Sequence, residues 1–198
     1  MVFGIQSVTE TLRSGKEIER LLIQREFGTS DIQKLATELG IPFQKVPVEK
    51  LNRLTRKNHQ GYICFVSPIR YAPLDNVMPQ IYEEGQTPFL LMLDRVTDVR
   101  NFGAIARTAE CAGVQAIVVP AKGGAQINAD AMKTSSGALN YIAVCRENSL
   151  KEATQFLSES GLQVVACTEK ATDSIYDVDF THPTLIIMGS EEDGISSE

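Results

Sequence analysis

From Phe89 onward the chain alternates short apolar runs with helically spaced segments, and this alternation constrains the fold more than any other feature. Strand-like runs at 89–93, 116–119, 142–145, 163–167 and 184–189 are separated by helical patterns over about 99–112, 128–139 and 149–159. Strands joined through helices build a parallel sheet, and such a sheet needs cover on both faces. The pattern therefore predicts an α/β fold with a parallel C-terminal sheet and no internal repeat. The last strand, Thr184 to Met188, runs into Gly189-Ser190-Glu191-Glu192-Asp193-Gly194 and stops four residues later. Two readings are open: the element that should cover it is missing, or the strand forms an edge.

Residues 1–70 read as a separate, small α/β domain. Ser7, with Glu10 three residues on, has the form of a helix start, and Gly15 of its end. Arg20 to Gln24 reads as a strand. Thr29 or Ser30 caps a helical segment through Ile32, Leu35, Ala36 and Leu39, which Gly40 stops, and Phe43 to Val46 is strand-like again. A third short helix passes through Leu51 and Leu54, and Gly61 to Val66 is a buried strand closed by Pro68. Residues 71–87, with Pro73, Pro79 and Gly85 among scattered apolar positions, read as a linker with one helical turn, leaving 88–198 as the second domain.

Charge divides along the same line. Residues 1–70 carry 11 basic and 7 acidic side chains, residues 71–198 carry 8 and 18, and the whole chain has a net charge of −6. That total excludes a globally basic coat for nucleic acid. The split directs an anionic partner to the N-terminal part, unless it reflects only a solvated acidic face. Cys64, Cys111, Cys145 and Cys167 are widely spaced in apolar stretches and read as buried thiols of a reducing compartment. The N-terminus has no charged segment leading into a long apolar core, so a cytoplasmic protein without membrane contact is expected. His59 and His182 are the only histidines and show no ligand spacing, so no metal site is expected.

In the segment Asp94 to Ala109, Phe102, Ile105, Ala109 and Ala112 are spaced for one buried helical face, and Arg100, Gly103, Ala104, Arg107 and Cys111 share another. Gly103 costs a helix about 1 kcal/mol relative to alanine, so it asks for the close approach of a backbone or a ligand. Arg107 beside it has the planar fork to grip a phosphate, or it makes a surface ion pair on a helix-packing face; spacing leaves both open. Lys50, Arg53 and Lys57, with Arg56 adjacent and Asn58-His59-Gln60 following, gather donors suited to phosphate or form a solvated helix face.

These segments carry a family resemblance. Asn101-x-Gly103-x-x-x-Arg107 after the first strand of the second domain resembles the first motif of the SpoU (TrmH-like) RNA ribose methyltransferases. Leu185 to Met188 followed by Gly189-Ser190-Glu191-Glu192-Asp193-Gly194-Ile195 resembles the second, and Lys133-Thr134-Ser135-Ser136-Gly137-Ala138-Leu139 the family's Ser-Gly-Ala segment. Gly4-Ile5-Gln6-Ser7-Val8 and His59-Gln60-Gly61 resemble the start and end of the ribosomal-protein-like substrate-binding domain of some members.

The resemblance implies a SPOUT-class domain with a trefoil knot, a homodimer, and transfer of a methyl group from S-adenosylmethionine to a ribose 2′-hydroxyl of RNA. Ribosomal RNA is favoured over transfer RNA by the two-domain layout. It implies Arg107, Asn101 and Glu191 as catalytic, and Thr168, Glu169, Met188, Gly189 and Gly194 as cofactor-binding. The RNA side comprises Lys50, Arg53, Arg56, Lys57, His59, Gln60, Lys133, Ser135 and Ser136. Since arginine is too weak an acid to serve as a base, Arg107 is read as a phosphate clamp and alkoxide stabiliser, and Glu191 as either chemical or structural. Two departures qualify this. Glu192 stands where the family commonly has glycine, and the third, Ser-Leu-Asn motif is not within the 198 residues, which implies an incomplete knot, weak cofactor binding and mobile residues 189–198. A catalytically inactive RNA-binding protein of the same fold is the alternative.

Overall fold

A computed structural model describes residues 1–28 and 30–196, which form two compact units, residues 1–68 and 69–198. In the first, β1 (Val2–Phe3), α1 (Ile5–Arg13), β2 (Ile18–Gln24), α2 (Asp31–Glu38), β3 (Phe43–Val46), α3 (Val48–Leu54) and β4 (Tyr62–Val66) make a sheet in the order β1-β4-β2-β3. β4 is antiparallel to β1 and β2, and β2 runs parallel to β3. The alternation of side chains along β2 explains the layering. Leu21 and Ile23 face α1 and α2 through Val8, Leu12, Ile32 and Ala36, whereas Leu22 faces α3 through Leu51.

The start of α1 differs from the expected one. Ser7 is not a cap; the helix begins at Ile5, whose N–H donates to Gln60 Oε1 at 3.0 Å. A side chain 55 positions away meets the need that a local serine would have met, which local pattern cannot show. α2 is capped by Ser30, whose hydroxyl accepts from Gln33 N; Thr29, the other candidate, lies outside the described residues.

The second unit contains α4 (Leu74–Glu83), β5 (Phe89–Leu93), α5 (Val99–Cys111), β6 (Ala116–Pro120), α6 (Ala129–Thr134), β7 (Ala143–Glu147), α7 (Leu150–Glu159), β8 (Gln163–Cys167) and β9 (Thr184–Met188). Its five strands are all parallel, in the order β7-β6-β5-β9-β8. Leu90 and Met92 of β5 pack towards α4 and α7, Leu91 and Leu93 towards α5 and α6, so both faces are covered as the pattern requires. β9 lies inside the sheet, between β5 and β8, which overturns its reading as an edge strand.

Two further differences follow from side-chain placement. The segment read as a linker with one turn contains the ten-residue α4, because Leu74, Val77, Met78 and Ile81 recur at helical spacing and are buried in the core; Pro79 sits inside it on the exposed side. The helix expected over 128–139 ends at Thr134, where Ser136 (φ 51°) and Gly137 (φ 92°) turn left-handed and a 3-10 turn, Ala138–Asn140, follows. Of the cysteines, Cys64 and Cys145 are buried as expected, but Cys111 at the end of α5 is exposed and Cys167 is half-buried. Burial pushes the Cys64 thiol up to about 11, and burial with the charges of Glu147 and Asp75 pushes Cys145 up to about 12. Among the described residues no helix is long and apolar enough to cross a membrane.

Candidate functional site

The strand order sets where a ligand can enter the second unit. From β5 the chain builds outward through β6 and β7, then returns on the other side through β8 and β9. β5 and β9 are therefore neighbours, the loops that follow them meet at their carboxyl ends, and that end of an open parallel sheet is where ligands bind. Here it is a cleft of about 590 Å³ lined by residues 95–98, Asn101, Ala104, Ile105, Gly123 and 188–193.

Asp98 caps α5 by accepting from Asn101 N at 2.7 Å, which fixes the first turn of the helix at the cleft. Asn101 then donates its Nδ2 to Glu191 Oε1 at 2.9 Å across 90 positions of sequence. The loop after β9 closes on itself: the N–H groups of Ser190 and Gly194 each donate to the other's carbonyl at 3.0 Å, and Asp193 N donates to Ser190 Oγ. Gly189 makes this possible, since a Cβ there would stand 2.0 Å from Gly194 C. Its tight packing is thus against its own loop. Residues 189–196, expected to be mobile, are tied further by Ser196 N, which donates to the buried Asp94; Ser197 and Glu198 lie outside the described residues.

Other expected site residues scatter. Met188, 37% exposed, and Gly189 line the cleft, and Gly194 lies beside Glu169, whose Oε2 is 3.7 Å from the position of a Cβ at 194. The loops after β8 and β9 therefore meet there, with Thr168 and Glu169 both exposed. Arg107 is exposed and free of described partners, but it does not line the cleft. Six residues beyond Asn101, it lies about 9 Å further along the helix.

The small-residue face of α5 is explained by packing. A Cβ at Gly103 would stand 1.9 Å from Thr134 Oγ1 and 2.8 Å from Ala131 O, so glycine there admits the backbone of α6. Ser135, expected on the RNA side, is fully buried and donates to Met132 O at 2.9 Å; it holds the end of α6 and has no surface to offer RNA. Lys133 and Ser136 are exposed.

In the first unit, Lys50 and Arg53 on α3 and Arg56 and Lys57 after it are all exposed, with no ion pair among the described residues. His59, open to reading as an RNA-facing or as a turn residue, takes the turn role and is not RNA-facing. It is 7% exposed, its Nδ1 accepts from Gly61 N at 3.0 Å, and its Nε2 lies 2.9 Å from Asn52 Oδ1, which the N–H of that tautomer meets. One ring nitrogen serves the turn and the other ties it to α3. Gln60 likewise spends its Oε1 on the start of α1, although it is exposed.

Asp94 and Arg95 had no signal in sequence beyond their position at the end of a strand. Arg95 has φ 57°, a left-handed conformation that glycine adopts more easily. Its Nη2 donates to Gly194 O at 3.2 Å, its Nη1 lies 3.5 Å from Asp193, and its Nε faces Asp94 at 3.5 Å as an ion pair.

Comparison with known proteins decides the lineage. Residues 88–198 match the SpoU rRNA Methylase family, and residues 1–72 match the family described as RNA 2′-O ribose methyltransferase substrate binding. The chain belongs to the SpoU rRNA methylase family. It is 32% identical to a putative TrmH family tRNA/rRNA methyltransferase, YacO of Bacillus subtilis, with 98% of this chain and 79% of the relative covered. It is also 32% identical to the 23S rRNA (guanosine-2′-O-)-methyltransferase RlmB of Escherichia coli, covering 98% of this chain and 82% of that protein. A crystal structure of an AdoMet-bound rRNA methyltransferase from Sinorhizobium meliloti superposes with a TM-score of 0.57 at 25% identity, covering 98% of this chain and 71% of that one. The fold brings Asn101 and Glu191, which the sequence resemblance assigns to the first and second motifs, into contact.

Proposed function

We propose that this SpoU family protein is an S-adenosylmethionine-dependent RNA 2′-O-ribose methyltransferase acting on ribosomal RNA. The observation that carries the reading is the bond from Asn101 to Glu191, which joins both motifs in one cleft at the strand ends. The cleft suits the cofactor in size, since ligand sites span roughly 300–1,000 Å³, and in charge. Asp98, Glu191, Glu192 and Asp193 line it, with Arg95 the one cation among the described lining residues, a surrounding that favours a sulfonium and an ammonium. Met188 and Gly189 line the cleft and would hold it there; Gly194, Thr168 and Glu169, assigned to the cofactor with them, lie outside the lining, at the junction of the loops after β8 and β9.

When bound, the cofactor supplies an electrophilic methyl group. Asn101 orients the Glu191 carboxylate and leaves its second oxygen open to solvent, where it can accept a proton from a hydroxyl held in place. Arg107, permanently charged and exposed outside the cleft, clamps an RNA phosphate there. The basic surface Lys50, Arg53, Arg56 and Lys57 contributes sequence-independent RNA affinity, and exposed Lys133 and Ser136 extend the RNA side. The SPOUT-type knot, a homodimer and a cytoplasmic site of action belong to the same reading.

The test is incubation of the protein with labelled S-adenosylmethionine and ribosomal RNA, followed by mass mapping of ribose methylation. A 2′-O-methylated nucleotide that disappears with Arg107→Ala is expected. Tight RNA binding with no transfer would replace the reading by the non-catalytic RNA-binding one.

A further inference from the structure

We infer that Arg95 is a positioning residue that pins the loop 189–194 to the end of β5 and so holds Glu191 within reach of Asn101. The functional consequence rests on the reading above; the pin itself rests on geometry alone.

Three observations converge on it. First, Arg95 keeps a backbone conformation that a residue with a side chain adopts at a cost and glycine would relieve, so the side chain must return something. Second, its guanidinium reaches three partners on two segments: Asp94 behind it, and Asp193 and the Gly194 carbonyl 99 residues later in the chain. Third, the loop has reason to open without it. Glu191, Glu192 and Asp193 are consecutive, exposed and alike in charge, and the turn is closed by one reciprocal pair of backbone hydrogen bonds and the Ser190 hydroxyl. Arg95 is the only cation lining the cleft among the described residues.

The loop itself is attached at two points, Arg95 at the 193–194 end and Asn101 at Glu191, with Ser196 N on Asp94 tying the chain just beyond it. A lysine cannot replace the fork, because one ammonium is a point charge and cannot span a carboxylate and a carbonyl in fixed geometry.

Hydrogen exchange of the protein without cofactor, followed at Ser190 and Gly194, tests the pin directly. In Arg95→Gly these amides are expected to exchange roughly 10-fold or more faster, while the melting temperature stays at or above that of the unaltered chain because the backbone strain is relieved. Arg95→Lys should also exchange faster. Asp193→Asn, which removes one exposed partner, should show a smaller increase. Calorimetry with S-adenosylmethionine and steady-state methyl transfer on the same proteins should show weaker cofactor affinity and a higher KM in Arg95→Gly. Unchanged exchange in Arg95→Gly overturns the pin, as does faster exchange that merely follows a fall in global stability. If the unaltered protein neither binds the cofactor nor transfers methyl, the proposed function fails, and the exchange result still decides the pin.

Discussion

Replacing Gly103 by alanine sets two effects of opposite sign against each other. In an unhindered helix interior the change would stabilise by about 1 kcal/mol. Here the new Cβ would stand 1.9 Å from Thr134 Oγ1, 2.8 Å from Ala131 O and 2.9 Å from Thr134 Cβ. The hydroxyl can swing away only by giving up its 2.8 Å bond to Asp130 O. The other two atoms are fixed to the backbone of α6, which must retreat. With two rigid contacts this close, the overpacking cost belongs near the top of its usual range, about 3 kcal/mol, and the net loss is about 2 kcal/mol. Urea denaturation followed by circular dichroism measures it. Adding Thr134→Ala removes the shortest contact and leaves the other two, so the double variant should recover part of the loss in a double-mutant cycle. A Gly103→Ala protein as stable as the original would show that α6 does not occupy this face, and the face would again be open to a ligand.

Asn101→Ala and Glu191→Ala should each change stability by less than about 1 kcal/mol, since both side chains are exposed, yet each should lower methyl transfer, and the two losses should not add when rates of both single variants and the double are compared. Replacing Lys50, Arg53, Arg56 and Lys57 together by alanine should weaken RNA binding and flatten the salt dependence of the binding constant, measured by filter binding; an unchanged slope would move the RNA surface to the second unit. The thiols give a pH dependence. Cys64 and Cys145 titrate near 11 and 12 when folded, above the ordinary thiol value, so the unfolded chain loses these protons first; stability is intact below about 8.5 and falls as pH rises from there through the folded values, as denaturation at pH 8 and 10 would show.

What sequence could show was periodicity and local motif. The alternation from Phe89 onward determines a two-faced parallel sheet, because Leu90/Met92 and Leu91/Leu93 must each find cover. The two motifs were equally visible, but only the strand order, with β9 inserted beside β5, makes Asn101 and Glu191 neighbours. Long-range substitutions for local signals were hidden. Gln60 caps α1 in place of Ser7, His59 uses one nitrogen on Gly61 N and the other on Asn52 of α3, and Ser135 is buried under a helix end that Ser136 and Gly137 terminate. α4 was obscured by Pro73, Pro79 and Gly85, which break local pattern without preventing four apolar residues from sharing one face. Arg95 gave no signal, since a left-handed arginine is recognisable only once its partners are in place.

Charge separates what the cleft can select by itself from what must be recruited elsewhere. Asp98, Glu191, Glu192 and Asp193 line it, and the guanidinium of Arg95 is already engaged by Asp94, Asp193 and the Gly194 carbonyl. A phosphate entering there meets an excess of its own sign, at about 1–4 kcal/mol for each unscreened pair at 4 Å between bulk-water and near-surface dielectric. A sulfonium or ammonium meets the opposite sign. RNA affinity must therefore come from other surfaces, of which Lys50, Arg53, Arg56 and Lys57 and the exposed Arg100 and Arg107 are candidates. Glu192 is the informative position, being exposed and without a described partner. Glu192→Gln removes one charge and keeps the shape, so cofactor affinity should fall a few-fold at low salt, with the difference vanishing at high salt, while RNA affinity rises or holds. Tighter cofactor binding in Glu192→Gln would mean that the acidic wall opposes the cofactor, and the charge argument for this cleft would fail.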